Sequence, residues 1–274
     1  MIIDAHAHAC GVFLKGEDII EILDMNLVDK AILVPGEFGS DKNYSLPKLG
    51  AMFPNTDVIW FTNLMTKIVI GIKGAAKQIE LGNDYVFSLA KEYPDRIIQF
   101  YWVKLSQSNA IEKLGRHLEE YRFKGIKLHQ CWESFKVDSQ SFHEVAEWAS
   151  SKDIPIFVHL FSKRQATHLS KYIKTHPNTV FIIAHLFGLE KYIEANISTD
   201  NVYFEISTPA LISIRRLMMA IKCVGANRVV LGSDVPYGLN NLKTNIERIK
   251  DLDISDEEKY SILGGNMKRM LKIK

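Results

Sequence analysis

This sequence contains few cysteines, no large excess of either charge and no long apolar run. Three cysteines occur in 274 residues, at Cys10, Cys131 and Cys223, and no two of them form a CxxC pair. An odd, scattered set of this kind is typical of reduced thiols in a cytosolic protein and excludes a disulfide-stapled scaffold. Basic residues number 34 against 32 acidic ones, a net charge of +2. This balance gives no excess of positive charge that would indicate binding to nucleic acid or to an anionic membrane.

Nothing in the sequence predicts a membrane span or a signal peptide. The best apolar run, 180–189, is shorter than the ~18 residues needed to cross a bilayer, and His185 interrupts it. The first residues lack the basic region and the long apolar core of a signal peptide. We therefore expect a cytoplasmic protein with neither nucleic acid nor membrane as a partner. The composition leaves the oligomeric state open, a homodimer included.

Short apolar segments alternate along the chain with longer amphipathic ones. We predict strands at 1–8, 30–35, 96–103, 125–129, 155–159, 180–185, 202–207 and 228–233, and helices at 17–27, 79–92, 110–121, 142–151, 165–175 and 212–223. Several strands, such as 154–158, are nearly all apolar, as expected for a parallel sheet that is covered on both faces. Ser139 or Ser141 is placed to cap the helix that follows it.

The spacing of the strand ends predicts a (β/α)8 TIM barrel in the α/β class. Six of the seven intervals fit one strand-and-helix unit, and eight such units fill about 250 residues. The alternative, an open doubly wound sheet, lacks its GxGxxG fingerprint. We therefore predict one domain, 1–274, with an insertion after strand 2 at 36–74. The insertion is interpreted as an apolar flap on the barrel edge or as a lid over the barrel mouth.

Five of the nine histidines lie within or at the end of predicted strands. His6 and His8 are two residues apart on the first strand, so both face the same side with Cα atoms about 6.6 Å apart. His159 ends the fifth strand, His185 ends the sixth, and Asp234 follows the eighth. Because the carboxyl ends of barrel strands converge on one rim, we predict that these side chains form a metal centre there. Imidazole nitrogens and a carboxylate suit a borderline cation such as Zn²⁺.

The same residues carry a resemblance to a known family. The segments that carry it are His6-Ala7-His8, Lys124-Gly125-Ile126-Lys127-Leu128-His129, Val158-His159, Ala184-His185, Gly232-Ser233-Asp234 and the chain end at 262–271. They resemble the amidohydrolase superfamily, and within it the branch of TIM-barrel metal-dependent hydrolases that also includes decarboxylases of the aminocarboxymuconate-semialdehyde type. The resemblance covers the whole chain and is weakest in the insertion.

The resemblance implies roles for individual residues. His6, His8 and His159 would be metal ligands. Asp234 would be a fourth ligand or would lie against an activated water as its base, and His185 would contact that water or the substrate oxyanion. One divalent metal is implied, with zinc as the expected ion, because the position at the tip of the fourth strand holds His129 rather than a bridging lysine.

Four further residues are predicted near the substrate. They are His129, Lys127, Glu205 and Trp132. Three of them have a simpler structural alternative: a rim histidine for His129, and an inward ion pair for Lys127 and Glu205.

The predicted activity is hydrolysis of a small molecule, an amide, ester or lactone, by a metal-activated water. The first alternative is non-oxidative decarboxylation of a small carboxylic acid at the same centre, which a basic anchor such as Arg215 or Lys127 would favour. The second is a metal-bearing barrel that binds a ligand without turnover. Strand-end spacing alone does not separate the three.

Overall fold

Eight parallel strands pair in chain order to form a barrel. The computed structural model describes residues 1–197 and 200–273, apart from the side chains of Lys73 and Ala75. The strands are β1 Ile3–Ala9, β2 Lys30–Pro35, β3 Ile97–Trp102, β4 Gly125–His129, β5 Ile156–His159, β6 Phe181–Ile183, β7 Val202–Glu205 and β8 Val229–Val230. Their order in the sheet is the same as their order in the chain, β1 to β8. The predicted (β/α)8 TIM barrel is confirmed.

Backbone hydrogen bonds join the last strand to the first. The N–H of Ala5 donates to the carbonyl of Leu231 at 2.9 Å, and the N–H of His8 donates to that of Val235 at 2.8 Å. The Ala7–Val235 pair forms a parallel bridge. These contacts bring the loop after β8 against the end of β1.

Helices cover the outside of the barrel and join its strands. They are α1 Gly16–Met25, α2 Leu49–Met52, α3 Ile59–Lys73, α4 Ile79–Glu92, α5 Ala110–Tyr121, α6 Gln140–Ser151, α7 Lys163–Thr175, α8 Leu189–Glu194, α9 Ile214–Val224, α10 Asn241–Lys250, α11 Asp256–Tyr260 and α12 Asn266–Met270. Local signals set several of their ends: Ser139 accepts from the N–H of Phe142 at the start of α6, as predicted. Within the described ranges, no helix combines the length and apolarity needed to cross a bilayer.

Side chains alternate between an outer core beneath the helices and an inner core within the barrel. On β4, Ile126 and Leu128 belong to the outer core, while Lys127 and His129 lie in the intervening positions. On β5, Val158 packs outward and Phe157 inward. This alternation directs the polar residues of the strand ends towards the barrel axis.

Several strands are shorter than predicted, and residues with left-handed backbone lie beyond the ends of β6 and β8. β6 stops at Ile183, and His185 has φ +58°. β8 stops at Val230, and Asp234 has φ +56°. Left-handed backbone is uncommon for residues with a Cβ and ends a strand. In both cases the turned residue is one that the sequence analysis selected.

The long segment after β2 is largely helical. It includes α2 and the 15-residue α3, which the sequence analysis treated only as an apolar insertion. The insertion contributes Leu46, Ile59 and Asn63 to the walls of the cavity at the barrel mouth. Its position therefore fits both interpretations made from the sequence.

Candidate metal centre

A β-bulge in β1 places His6 and His8 on the inside of the barrel. The pairing of β1 with β2 shifts register between Asp4 and Ala7. Ala5 lies in the inner core and Ala7 in the outer one, so the side-chain alternation changes phase at the bulge. The Asp4 carboxylate accepts from the N–H groups of His6, at 3.2 Å, and Ser233, at 2.9 Å. A buried carboxylate thus holds the bulge and the loop after β8 together.

Three of the four predicted ligands form a compact group. Nε2 of His6 lies 3.5 Å from Oδ1 of Asp234, and Nε2 of His8 lies 3.3 Å from the same oxygen. The ligand atoms of these three side chains are all within 4.8 Å of one another. All three residues are buried. The prediction of converging strand ends therefore holds for β1 and the loop after β8.

The hydrogen bond of His8 leaves its inner nitrogen available. Nδ1 lies 2.7 Å from the carbonyl oxygen of Pro35. A carbonyl only accepts, so Nδ1 carries the proton and Nε2 presents its lone pair to the centre. A ligating histidine commonly has such a bond on its other nitrogen, because the bond fixes both the tautomer and the ring. His8 is thus prepared as a ligand.

His159 and His185 approach the centre from the opposite side. Nδ1 of His159 lies 3.2 Å from Nε2 of His185, which in turn lies 4.0 Å from Oδ2 of Asp234. Among the described residues, His159 does not join the group of His6, His8 and Asp234 directly. β5 is opposite β1 in an eight-stranded barrel, so their side chains meet only near the axis. His185 stands between the two sides.

Glu205 and a serine that the sequence analysis did not select support His185. Ser207 Oγ lies 2.8 Å from Nδ1 of His185 and 2.9 Å from Oε2 of Glu205. The same carboxyl oxygen accepts from the N–H of His185 at 3.1 Å. Burial, the largest effect, raises the pKa of Glu205 to about 8. Ser207 lies just beyond β7, two residues after Glu205, and this spacing within the predicted strand 202–207 was the signal for it.

Lys127 contacts His6 rather than the partner expected from the sequence. Its Nζ lies 3.0 Å from Nε2 of His6 and 4.1 Å from the centre of the Phe157 ring. The structure shows no direct ion pair between Lys127 and Glu205. Burial is the main reason that the pKa of Lys127 falls to about 7. A lysine with such a pKa readily gives up its proton, which lessens repulsion of a neighbouring cation.

Burial also keeps the imidazoles of the site neutral. It is the largest cause that lowers the pKa values of His6, His129 and His159 well below their ordinary value, and it lowers that of His185 to about 4. The neutral form is the one that binds metal ions. The donor set of neutral imidazoles and one carboxylate, with His8 already oriented, therefore fits a divalent cation.

His129 forms part of the cavity wall. Its ring stacks on His159, with centroids 3.9 Å apart and an interplanar angle of 10°, and on Trp102 from the other side. Its Nδ1 accepts from the N–H of Cys131 at 3.2 Å. The proton of the neutral ring is consequently on Nε2. His129 can donate this hydrogen to a substrate.

Cys131 is close to His129 and His159, but its thiol is poorly suited to metal binding. The ligand atoms of these three residues lie within 4.8 Å of one another. Burial is the main cause that raises the pKa of Cys131 to about 12. The thiolate is the form that binds metal, so Cys131 is a poor ligand at neutral pH.

A small cavity of about 80 Å³ opens above these residues. The side chains around it are His8, Leu46, Ile59, Thr62, Asn63, Thr66, His129, Trp132, His159, His185, Thr208, Leu211, Asp234 and Tyr237. Two predicted substrate residues, His129 and Trp132, line it. The other two, Lys127 and Glu205, are fully buried and do not. Among the lining residues that the structure describes there is no arginine or lysine.

Sequence reasoning missed several residues of this wall. Asn63 is a buried polar residue of the largely apolar helix α3. Tyr237 lies in the loop after Asp234, where its ring meets that of His8 edge-on at 5.5 Å. Arg215, considered as an anchor for a carboxylate, instead donates to Asn55 at the surface. A buried amide in an apolar segment was the one signal that could have indicated Asn63.

The amidohydrolase family profile, Amidohydro_2, matches residues 3–273. The chain belongs to this family. Among curated proteins, no sequence relative is found.

Solved structures with the same fold belong to enzymes that are named for different reactions. A dihydroxybenzoic acid decarboxylase from Polaromonas, with bound manganese and 2-nitroresorcinol, is 15% identical, with a TM-score of 0.70 over 99% of this chain and 97% of that one. A protein assigned as a 2-pyrone-4,6-dicarboxylic acid hydrolase from Acinetobacter baumannii is 13% identical, with a TM-score of 0.70 over 99% of each. The 4-oxalomesaconate hydratase of Rhodopseudomonas palustris is 14% identical, with a TM-score of 0.64 over 99% and 96%. At these identities the likeness shows a shared fold.

Proposed function

We propose that this amidohydrolase-family enzyme is a metal-dependent hydrolase for a small, uncharged amide, ester or lactone. The observation that carries the choice of reaction is the cavity wall. It presents imidazoles, a carboxylate, hydroxyls and apolar side chains, and no lysine or arginine among its described residues. A substrate that enters as a carboxylate has no cationic side chain there to bind it.

His6, His8, His159 and Asp234 would hold the metal, with zinc as the natural ion because nitrogen and carboxylate ligands suit it. When bound, a divalent cation lowers the pKa of a coordinated water from 15.7 towards ~7 and polarises a carbonyl group. Cys10, Cys131 and Cys223 form no disulfide with one another, which favours a cytoplasmic setting for this chemistry.

Asp234 would act as the proton acceptor at its Oδ2 atom. Its Oδ1 faces both histidines of β1, whereas Oδ2 faces His185 across 4.0 Å. The backbone of Asp234 is held against β1 on both sides by hydrogen bonds of neighbouring residues. A carboxylate fixed in this way takes a proton from the nucleophile and returns it to the leaving group without reorienting.

His185 would donate a hydrogen bond from Nε2 to the developing oxyanion. In the structure the Ser207 hydroxyl donates to Oε2 of Glu205. Protonation of this carboxyl, whose pKa burial raises to about 8, would leave the hydroxyl free to donate to Nδ1 of His185. The proton of the neutral ring would then be on Nε2, which lies 3.2 Å from Nδ1 of His159 and would be released to the substrate when that nitrogen binds the metal. A fixed donor aimed at a developing charge is worth on the order of 10²–10³ in rate.

Decarboxylation is the second candidate. It is supported by the decarboxylases among the similar structures and by two aromatic residues, Trp132 and Tyr237, in the cavity wall. A flat aromatic acid would pack against these rings. In that case the metal itself would have to bind the substrate's carboxylate or hydroxyl.

A substrate panel with metal removal tests the assignment. Protein stripped with a chelator should lose activity on neutral lactones, esters or amides and recover it when zinc is added. Metal-dependent release of CO₂ from hydroxybenzoic acids, without hydrolysis of any neutral compound, would replace hydrolysis by the second candidate. Bound metal without turnover of either class, together with tight binding of a metabolite, would indicate a binding protein and contradict both.

A further inference from the structure

We infer that Asn63, on the insertion helix α3, is a positioning residue that fixes the tautomer of His159 for metal binding. This inference rests on the proposed function. Nε2 of His159 lies 2.7 Å from Oδ1 of Asn63. The two residues are 96 positions apart in the chain, so only the packing of α3 over the barrel mouth brings them together.

The orientation of the Asn63 amide is settled by its other contacts. Its Nδ2 donates to the carbonyl oxygens of Leu160, at 2.9 Å, and Phe161, at 3.1 Å. Carbonyl oxygens only accept, so the NH₂ group must be on that side and Oδ1 must face the imidazole. Asn63 is 1% exposed, so these contacts are shielded from bulk solvent.

The tautomer of His159 follows from its contact with Asn63. Because Oδ1 of Asn63 accepts, Nε2 of His159 carries the ring proton. In the neutral ring Nδ1 then has the lone pair, and Nδ1 is the nitrogen that faces His185 and the centre. Without Asn63 the ring could carry its proton on Nδ1, where it would block metal binding. The insertion therefore does more than cover the cavity, since it supplies the group that prepares a ligand on β5.

Zinc affinity and NMR of the histidine ring test this directly. In the metal-free wild-type protein, nitrogen-resolved spectra should show His159 as the Nε2–H tautomer. In Asn63→Leu we expect a mixture of tautomers and a zinc affinity lower by 10- to 100-fold, the usual loss when such a bond is removed. Asn63→Asp keeps the accepting oxygen and should bind zinc within a few-fold of wild type.

Asn201→Leu is the matched structural control. Asn201 is also a buried asparagine whose Nδ2 donates to carbonyl oxygens, those of His176 and Thr179 among them, and among the described residues no imidazole nitrogen contacts its amide. This variant should lower the melting temperature and leave zinc affinity unchanged. An Nδ1–H tautomer of His159 in the wild type, or a folded Asn63→Leu that binds zinc as tightly as wild type, would overturn the inference. If the wild type itself binds no zinc, the proposed function fails instead.

The outer face of α3 supports a second, independent inference. This face consists of Trp60, Phe61, Leu64, Met65, Ile68 and Ile72, which are 48–82% exposed. With side chains of this size the face presents roughly 600 Å² of apolar surface, close to the ~800 Å² per partner of a standard interface and more than the scattered apolar residues of a monomer.

We propose that a second copy of this chain covers the outer face of α3. The only charged residue in 60–72 is Lys67, and its Nζ lies over the Phe161 ring at 4.7 Å. The face consequently offers nothing to a charged partner, and it fits a surface as apolar as itself. A two-fold pair of α3 helices meets this requirement because each copy presents the same surface to the other.

Sedimentation of wild type and Ile68→Glu tests the dimer. The wild type should sediment as a dimer and Ile68→Glu as a folded monomer. Met25→Glu is the control, since Met25 is 68% exposed on α1, ahead of the amino end of β2, and this variant should remain dimeric. A monomeric wild type, or a dimer that survives Ile68→Glu, would overturn the proposal. So would a monomer that floats with phosphatidylglycerol–phosphatidylethanolamine vesicles, because a lipid surface would then be the occupant.

Discussion

The N–H of Asp234 donates to the carbonyl oxygen of His6 at 2.7 Å. This bond is one of those that join the loop after β8 to β1, and it also fixes the position of the carboxylate beside the imidazole. The contacts that close the barrel therefore also bring these side chains of the metal centre together. A variant that alters the Asp234 side chain leaves the backbone bond in place, which allows chemistry and folding to be tested separately.

Asp234→Asn should keep the fold and lose turnover. The amide is nearly isosteric but cannot accept a proton at Oδ2, so we expect kcat on any ester or lactone hydrolysed by the wild type to fall by on the order of 10²–10⁴. Circular dichroism melting checks the fold. Asp251→Asn, at an exposed position, serves as the control. A rate near that of wild type would show that another group moves the proton.

His159→Ala should remove most of the bound metal. In the proposed site Nδ1 of His159 is the ligand that β5 would supply, and loss of one of four ligands weakens a zinc site severely. The metal content after dialysis, measured by mass spectrometry, tests this expectation. His143→Ala, on α6 and outside the cavity, should retain the wild-type content. If His159→Ala also retained it, His159 would not be a ligand.

Ser207→Ala should impair catalysis with little effect on substrate binding. The substitution removes the hydroxyl that contacts Nδ1 of His185, so the proton on Nε2 is no longer secured. We expect kcat to fall by about 10- to 100-fold with KM nearly unchanged. Ser170→Ala is a comparable change at a buried serine of α7 and should have no effect on rate. Equal losses in the two variants would point to a general structural effect.

Glu80→Gln should reduce stability only where the glutamate is ionised. Hydrogen bonds from Lys113, first, and Gln107 lower the pKa of Glu80 below 4.5. A lowered pKa contributes stability that is fully present above about pH 4.5 and is lost as pH falls through the folded-state value. Because the pair is largely exposed, urea unfolding at neutral pH should differ by less than about 1 kcal/mol. The difference should shrink in acid, and a difference that grew there would contradict the assignment.

Local sequence patterns predicted much of the scaffold, because the bounds of strands and helices depend on residues close together in the chain. The bounds of β2, β4, α4 and α5 match the predicted ones, since apolar runs and helix-ending signals specify them within a few residues. α3 was not predicted, although polar residues recur there with helical spacing at Thr62, Asn63 and Thr66. These side chains line the cavity at the barrel mouth and the apolar face is exposed, which is the reverse of an ordinary surface helix.

The sequence by itself determined the alternation of strands and helices, the barrel, and the types of side chain at the strand ends. Each of these depends on residues close together in the chain. The tertiary structure decided which nitrogen each imidazole presents, that Lys127 contacts His6 instead of Glu205, and that Asn63 meets His159. It also decided which side chains of β1 face the barrel axis, because the bulge held by Asp4 changes their alternation. Such features depend on contacts between residues up to 229 positions apart, whose distances no local pattern specifies.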